Sequence, residues 1–170
     1  MGIWEIWNNY IFIGTYSGED YRDFITARTN MNAVKAIQEL FPDKIVKSFE
    51  LRKSNDNAKE NALHLDCCFQ PIGKDMAILY KGGFKNEKDY NFLMNHFTKK
   101  KIIELSRDEM YSMGSNIFSV SEKVIVSEEK FSRLNSELRK RGFIVEEVPY
   151  AEIAKMSGLF RCSTMPLVRC

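Results

Sequence analysis

The hydrophobic positions of this chain fall into a pattern that recurs. WEIWNN and YIFIGTY are two alternating apolar stretches joined around Asn8-Asn9, a good turn pair, and predict a β-hairpin. An apolar stripe at Val34, Ile37, Leu40 and Phe41 follows at helical spacing, with Asn30 placed to cap its start and Pro42 to help end it. KIVKSFEL then reads as a strand. A second unit begins near Ala62. ALHLDCCF alternates, a turn falls around Gly73-Lys74-Asp75, MAILY is a short apolar strand, Glu87–Phe97 is helical and KIIEL is a strand. A third begins near Asn116, with NIFSVS and KVIVS as another hairpin. Residues 128–141 then form the clearest amphipathic helix, with Phe131, Leu134 and Leu138 on one side. Gly142 suits that helix's C-terminal end, FIVEEVP is the returning strand, and LFRCSTMPLVR reads as one more strand.

Strand–strand–helix–strand thus recurs three times at intervals of roughly fifty residues, within the range of repeat-built folds. The expectation is a single α/β domain over 1–170 with modules at about 4–60, 61–115 and 116–170. An ordinary α+β domain in which this order arises by chance is the competing reading, and three recurrences weigh against it.

Composition narrows the function classes. A chain of 170 residues with 44% hydrophobic content can bury a core and is not of disordered type. The 25 basic and 23 acidic residues leave a net charge of +2, too small a field to gather nucleic acid. The apolar opening is interrupted by Glu5, Asn8 and Asn9 and lacks a basic leader, so neither a signal peptide nor a membrane span is expected. Cys67, Cys68, Cys162 and Cys170 do not form a secreted disulfide framework and point to a reduced, cytoplasmic protein.

Two segments could carry chemistry. On a strand, His64, Asp66 and Cys68 would share one face, and Leu65, Cys67 and Phe69 the other. That sets an imidazole and a carboxylate roughly 6–7 Å apart, able to reach one small cation together. The bland alternative is a solvent-facing pair on a half-exposed strand. In LFRCSTMP, Cys162 is flanked by Ser163-Thr164 and a Pro166 break, as suits a thiol at a loop or strand end; the alternative is a small buried hydrophobe. Metal binding is disfavoured, because there are only two histidines and no CxxC or HxxxH spacing. KGGF is too short for a phosphate loop, and His96 reads as structural.

Taken together, ITARTN, ALHLDCCFQPIG, MGSNIFSVSEKVIV and LFRCSTMPLVR, in this order, resemble the arginine deiminases, dimethylargininases and glycine amidinotransferases, the guanidino-group-modifying pentein family. The resemblance covers nearly the whole chain. It implies a partial α/β propeller, with about three of the family's five strand–strand–helix–strand modules around a central substrate channel. It also implies an enzyme in which Cys162 attacks a guanidinium carbon and forms a covalent thiouronium. His64 would protonate the leaving amine and then activate water, or an amine acceptor in a transferase. Asp66 would hold the guanidinium nitrogens, and Arg28 would grip the substrate's carboxylate. No cofactor and no metal are implied, and the partner is a small, arginine-like guanidino substrate. Hydrolysis is the first expectation and amidino transfer the second. A non-catalytic module binding a protein or ribosomal surface, as in the ribosomal-subunit anti-association factor of this fold, is the third. Relatives carry a Glu-Gly-Gly-Asp segment before the strand matching WEIWNNY, preceded by two further modules that supply another aspartate. Here only Gly2 fits that segment, and Arg161 stands where several relatives have histidine. The expectation is an N-terminally truncated member whose exposed strand edges lead it either to pair with a second copy of the chain or to aggregate.

Overall fold

The computed structural model describes residues 4–156 and 158–165. Strand β1 (Trp4–Trp7) turns back into β2 (Tyr10–Thr15), with Asn8 at a φ of 52°, a left-handed conformation that asparagine tolerates. Helix α1 (Met31–Leu40) crosses to β3 (Ile45–Glu50), which lies parallel to β2. As its sequence suggests, Asn30 caps α1, its side-chain oxygen accepting from the amides of Asn32 and Ala33. The same order returns in β4 (Phe69–Ile72), β5 (Met76–Leu79), α2 (Glu87–Phe97) and β6 (Ile102–Glu104). A short helix α3 (Arg107–Tyr111), started by a Ser106/Glu109 capping box, intervenes. The third unit is β7 (Phe118–Ser119), β8 (Val124–Glu128), α4 (Ser132–Lys140) and β9 (Ile144–Val148). Two one-turn helices follow, α5 (Ala151–Ala154) and α6 (Phe160–Ser163).

Each unit makes one three-stranded sheet, with its first strand antiparallel and its last strand parallel to the middle one. The alternation of side chains along the middle strands welds the units together. In β2, Ile11 and Ile13 face α1 through Val34, whereas Phe12 faces the second unit. In β5, Ala77 and Leu79 meet Phe12, Phe49 and the α2 residues Leu93 and Phe97. Met76 and Ile78, on the opposite face, meet Ile125 with Leu134 and Leu138 of α4. Thus α2 is packed between the first and second sheets, and α4 between the second and third.

Three sequence expectations fail locally. Residues 64–68 are not strand: Leu65–Cys67 form a single 3-10 turn, and β4 starts only at Phe69. The alternation expected for His64, Asp66 and Cys68 is therefore lost, and Leu65, Asp66, Cys67 and Cys68 are all buried. The segment holding Cys162 is helical, not a strand. The helix expected over 128–141 starts at Ser132, because Glu128 still belongs to β8. Gly2, Ser157, Cys170 and the strand expected through Pro166 and beyond lie outside the described residues. His96 packs edge-on against Tyr10, Phe12 and Phe97 and stacks on Phe92, in keeping with a structural role.

Candidate functional site

The lead-in turns of the second and third units converge, and α6 lies across them. Asp66 sits just before β4 and Asn116 just before β7, and both are completely buried. The Asn116 amide nitrogen donates to Asp66 Oδ2 at 2.9 Å and lies 3.2 Å from Cys162 Sγ. The thiol itself is 3.4 Å from the same Asp66 oxygen. Carboxylate, amide and thiol thus form a closed triangle from three distant parts of the sequence.

Local chemistry explains each placement. The turn at Asp66 is closed by the Cys67 and Cys68 amides, which donate to the carbonyls of His64 and Leu65. The Ser115 hydroxyl secures it by donating to the Asp66 carbonyl at 2.8 Å. Asn116 is held by its own amide donating to Met113 O, and Met113 takes a φ of 67° to make that turn. Its side-chain oxygen accepts from the amides of Leu159 and Cys162, so it works as a cap for α6. Ser163 and Thr164 add bonds from their hydroxyls to the carbonyls of Leu159 and Phe160, four residues back. Gly158 is needed here: a Cβ at that position would lie 2.9 Å from Cys162 Cβ.

Burial and then the Asp66 charge hold the Cys162 thiol above its ordinary pKa. The neighbouring cation does not activate it. Arg161 points instead at β1, with Nε 3.3 Å from Glu5 Oε1, and ties the Cys162 turn to the first sheet through a largely buried ion pair. His64 is half-buried beside the turn. Desolvation lowers its pKa, against the opposing pull of Asp66 and with smaller pushes from Lys53 and Arg28. Its ring makes no hydrogen bond to the thiol. Arg28 is exposed on the loop before α1, and that loop is fastened to the segment before His64 by a Thr26–Asn61 bond of 2.8 Å. Of the four residues expected from sequence, then, Asp66 and Cys162 meet directly. His64 stands two residues along the same turn, and Arg28 is not in contact with them, its charge being a minor influence on His64.

Sequence reasoning missed Asn116, the hub of the cluster. Its one signal is that a polar, turn-favouring residue precedes an apolar strand, which says nothing of what it caps. A cavity of about 760 Å³ opens beside the cluster. Leu63, Cys67 and Leu159 wall it, but the side chains of His64, Asp66 and Cys162 do not. Among the described residues no group of three or more His, Cys, Asp or Glu is placed to hold a metal ion. Among them, too, no helix is long and apolar enough to cross a membrane.

Comparison with known proteins places the chain in a family. The family profile described as N,N dimethylarginine dimethylhydrolase, eukaryotic, matches residues 24–169. The uncharacterized protein YkgA of Bacillus subtilis is 32% identical over 145 residues, covering 85% of this chain and 47% of YkgA. An arginine deiminase of Treponema denticola is 26% identical over 181 residues, covering 85% of this chain and 43% of the deiminase. This chain therefore spans about half the length of those relatives. Among solved structures, the N-terminal domain of ArgZ, a cyanobacterial arginine dihydrolase, superposes with a TM-score of 0.79 at 19% identity, over 99% of this chain and 56% of that one. That domain has been solved bound to substrate and covalently bound to a reaction intermediate.

Proposed function

The chain belongs to the N,N dimethylarginine dimethylhydrolase family of guanidino-modifying hydrolases, and on that premise we propose that it cleaves the guanidino group of arginine or an arginine derivative through a covalent thiouronium on Cys162. The observation that carries this reading is the triangle of Cys162, Asn116 and the fully buried Asp66 carboxylate. A buried carboxylate calls for a charged partner, and a flat guanidinium set against it would supply one through charge-assisted hydrogen bonds. The thiol is protonated at rest, because burial and Asp66 both oppose the thiolate. A cation arriving between sulfur and carboxylate reverses the second of these and draws the thiol pKa down.

The thiol proton then passes to His64, which desolvation keeps neutral and able to accept it. The sulfur bonds to the guanidinium carbon, and the carbon–nitrogen bond to the leaving amine breaks as His64 returns the proton to that amine. The same imidazole next takes a proton from water, whose oxygen attacks the thiouronium carbon. Breaking the carbon–sulfur bond releases the ureido product and restores the thiol. Two modest displacements replace one against a resonance-stabilised carbon. In this reading Arg28 receives the substrate's carboxylate, no cofactor takes part, and the three sheets are three modules of a five-module propeller that makes up one domain. The arginine dihydrolase likeness favours an arginine-type substrate over other guanidines.

The test is incubation with arginine, Nω-methylated arginines and agmatine, scored for ureido product, with Cys162→Ser as the blank. Ureido product from the wild-type chain and none from the variant is expected. Product formed only when an acceptor amine is added would establish amidino transfer instead. A folded protein that makes neither product, and whose Cys162 reacts with chloroacetamidine no faster than a free thiol, would leave a binding module.

A further inference from the structure

The segment leading into His64 is clamped by a side chain to which the reaction described above gives no part. Lys53 lies just beyond β3, in the first unit. Its ammonium donates to the carbonyls of Ala62 at 2.6 Å and Leu63 at 2.9 Å, the two residues before His64. The main chain reinforces the attachment, since the Ala62 amide donates to Arg52 O and the Arg52 amide to Gly83 O. The loop carrying Arg28 is tied to the same place: Thr26 bonds Asn61, the Ile25 amide bonds the Asn55 side chain, and Asn55 bonds Asp23 O. Short turns without a ladder have many conformations open to them, and a catalytic imidazole needs one of them.

We propose that Lys53 is a positioning residue for the candidate acid/base: by gripping the Ala62 and Leu63 carbonyls it fixes the backbone from which the His64 ring projects and sets a positive charge behind it at neutral pH. The proposal rests on the hydrolase reading above for its consequence in turnover, but the clamp itself can be tested without turnover. The ammonium is drawn out of bulk water, and desolvation lowers its pKa to about 8. Arg28 opposes the ammonium through its charge, and the Cys67 and Cys68 thiols beside it would favour the ammonium only once ionised. Those reaching His64, among the described residues, are Asp66, which favours the imidazolium, and Lys53 and Arg28, which oppose it. Removing Lys53 therefore does two things of the same sign. It takes away a repelling charge and it frees the turn towards water, and both raise the His64 titration midpoint.

The chain has only two histidines, so an imidazole NMR titration with His64→Asn as assignment control resolves them. The series is wild type, Lys53→Met, Lys53→Gln and Lys53→Arg. Loss of the ammonium should lower kcat by about tenfold or more, as expected of a displaced acid/base, with little change in KM. Arginine, which keeps charge and donors, should restore most of kcat, and the His64 midpoint should rise in the Met and Gln proteins only. In wild type, the carbonyl ¹³C signals of Ala62 and Leu63 should titrate together with Lys53, a reading that survives even if the variants do not fold. Carbonyl signals that ignore the Lys53 titration, or a His64 midpoint unmoved in a folded Met or Gln variant, would overturn the proposal. A midpoint that moves in a protein that converts no guanidine would sink the hydrolase reading and leave the clamp standing.

Discussion

Asp66 and Asn116 act on the Cys162 thiol with opposite sign although both touch it. The Asp66 charge and hydrogen bond push the thiol pKa up, while the Asn116 amide pulls it down. Exchanging Asp66 for Asn removes the charge at nearly constant shape, so the pH midpoint for alkylation by neutral iodoacetamide should fall. Exchanging Asn116 for Ala should raise that midpoint. It should also cost about 1–3 kcal/mol of stability, because the amides of Leu159 and Cys162 lose their shared acceptor. Guanidine turnover should collapse in both. A thiol made more reactive yet useless toward a cationic substrate is what a substrate-binding carboxylate demands. Slower alkylation in Asp66→Asn would mean that the carboxylate instead activates the sulfur.

At the scale of the elements, the short ones place the chemistry, and they were the least legible in sequence. The three crossover helices and most strands follow from apolar spacing, caps and turns, since those signals are local. Asn30 caps α1 and Gly142, at a φ of 89°, ends α4 for reasons visible within a few residues. LHLDCCF alternates like a strand, yet Ser115 and Asn116, some fifty residues away, offer Asp66 donors that only a turned backbone can reach. LFRCST was likewise misread because its cap is Asn116 rather than a neighbour. Cys162, Asp66 and His64 became candidates through family resemblance; the geometry joining Asp66 to Cys162 was not legible, because it rests on tertiary hydrogen bonds. The α6 turn carries its own prediction. A methyl at position 158 would lie 2.9 Å from Cys162 Cβ, so Gly158→Ala must shift the thiol or the turn. Turnover should fall on the order of 100-fold, the usual cost of a misplacement near 1 Å, and urea denaturation should show a loss of about 1–3 kcal/mol. Unaltered turnover would show that the thiol's position is not critical.

Across the whole molecule, the layering of sheets and helices buries thiols that ordinary unfolding would expose, and this couples global stability to alkaline pH. Burial pushes the Cys67 thiol up to about 12 and raises Cys68 well above its usual value. An acid whose folded pKa is raised keeps its proton in the fold while the unfolded chain releases it, so the unfolded state gains as pH climbs through about 9. Lys53 works the other way. Its folded pKa of about 8 lies below its ordinary value of 10.5, so between those limits the unfolded chain binds more protons and rising pH favours the fold. The two effects oppose each other between about pH 9 and 10.5, and the sum alone identifies neither. A difference separates them. Cys67→Ala removes one thiol and leaves Lys53 in place, so its loss of stability between pH 7 and 10 should be smaller than that of wild type by roughly 1 kcal/mol, read as urea midpoints at both pH values. Equal losses in the two proteins would mean that Cys67 ionises as easily inside the fold as outside it. Its packing beneath the Asp66 turn would then be open to water, and the dry carboxylate on which the site's chemistry depends would have to be abandoned.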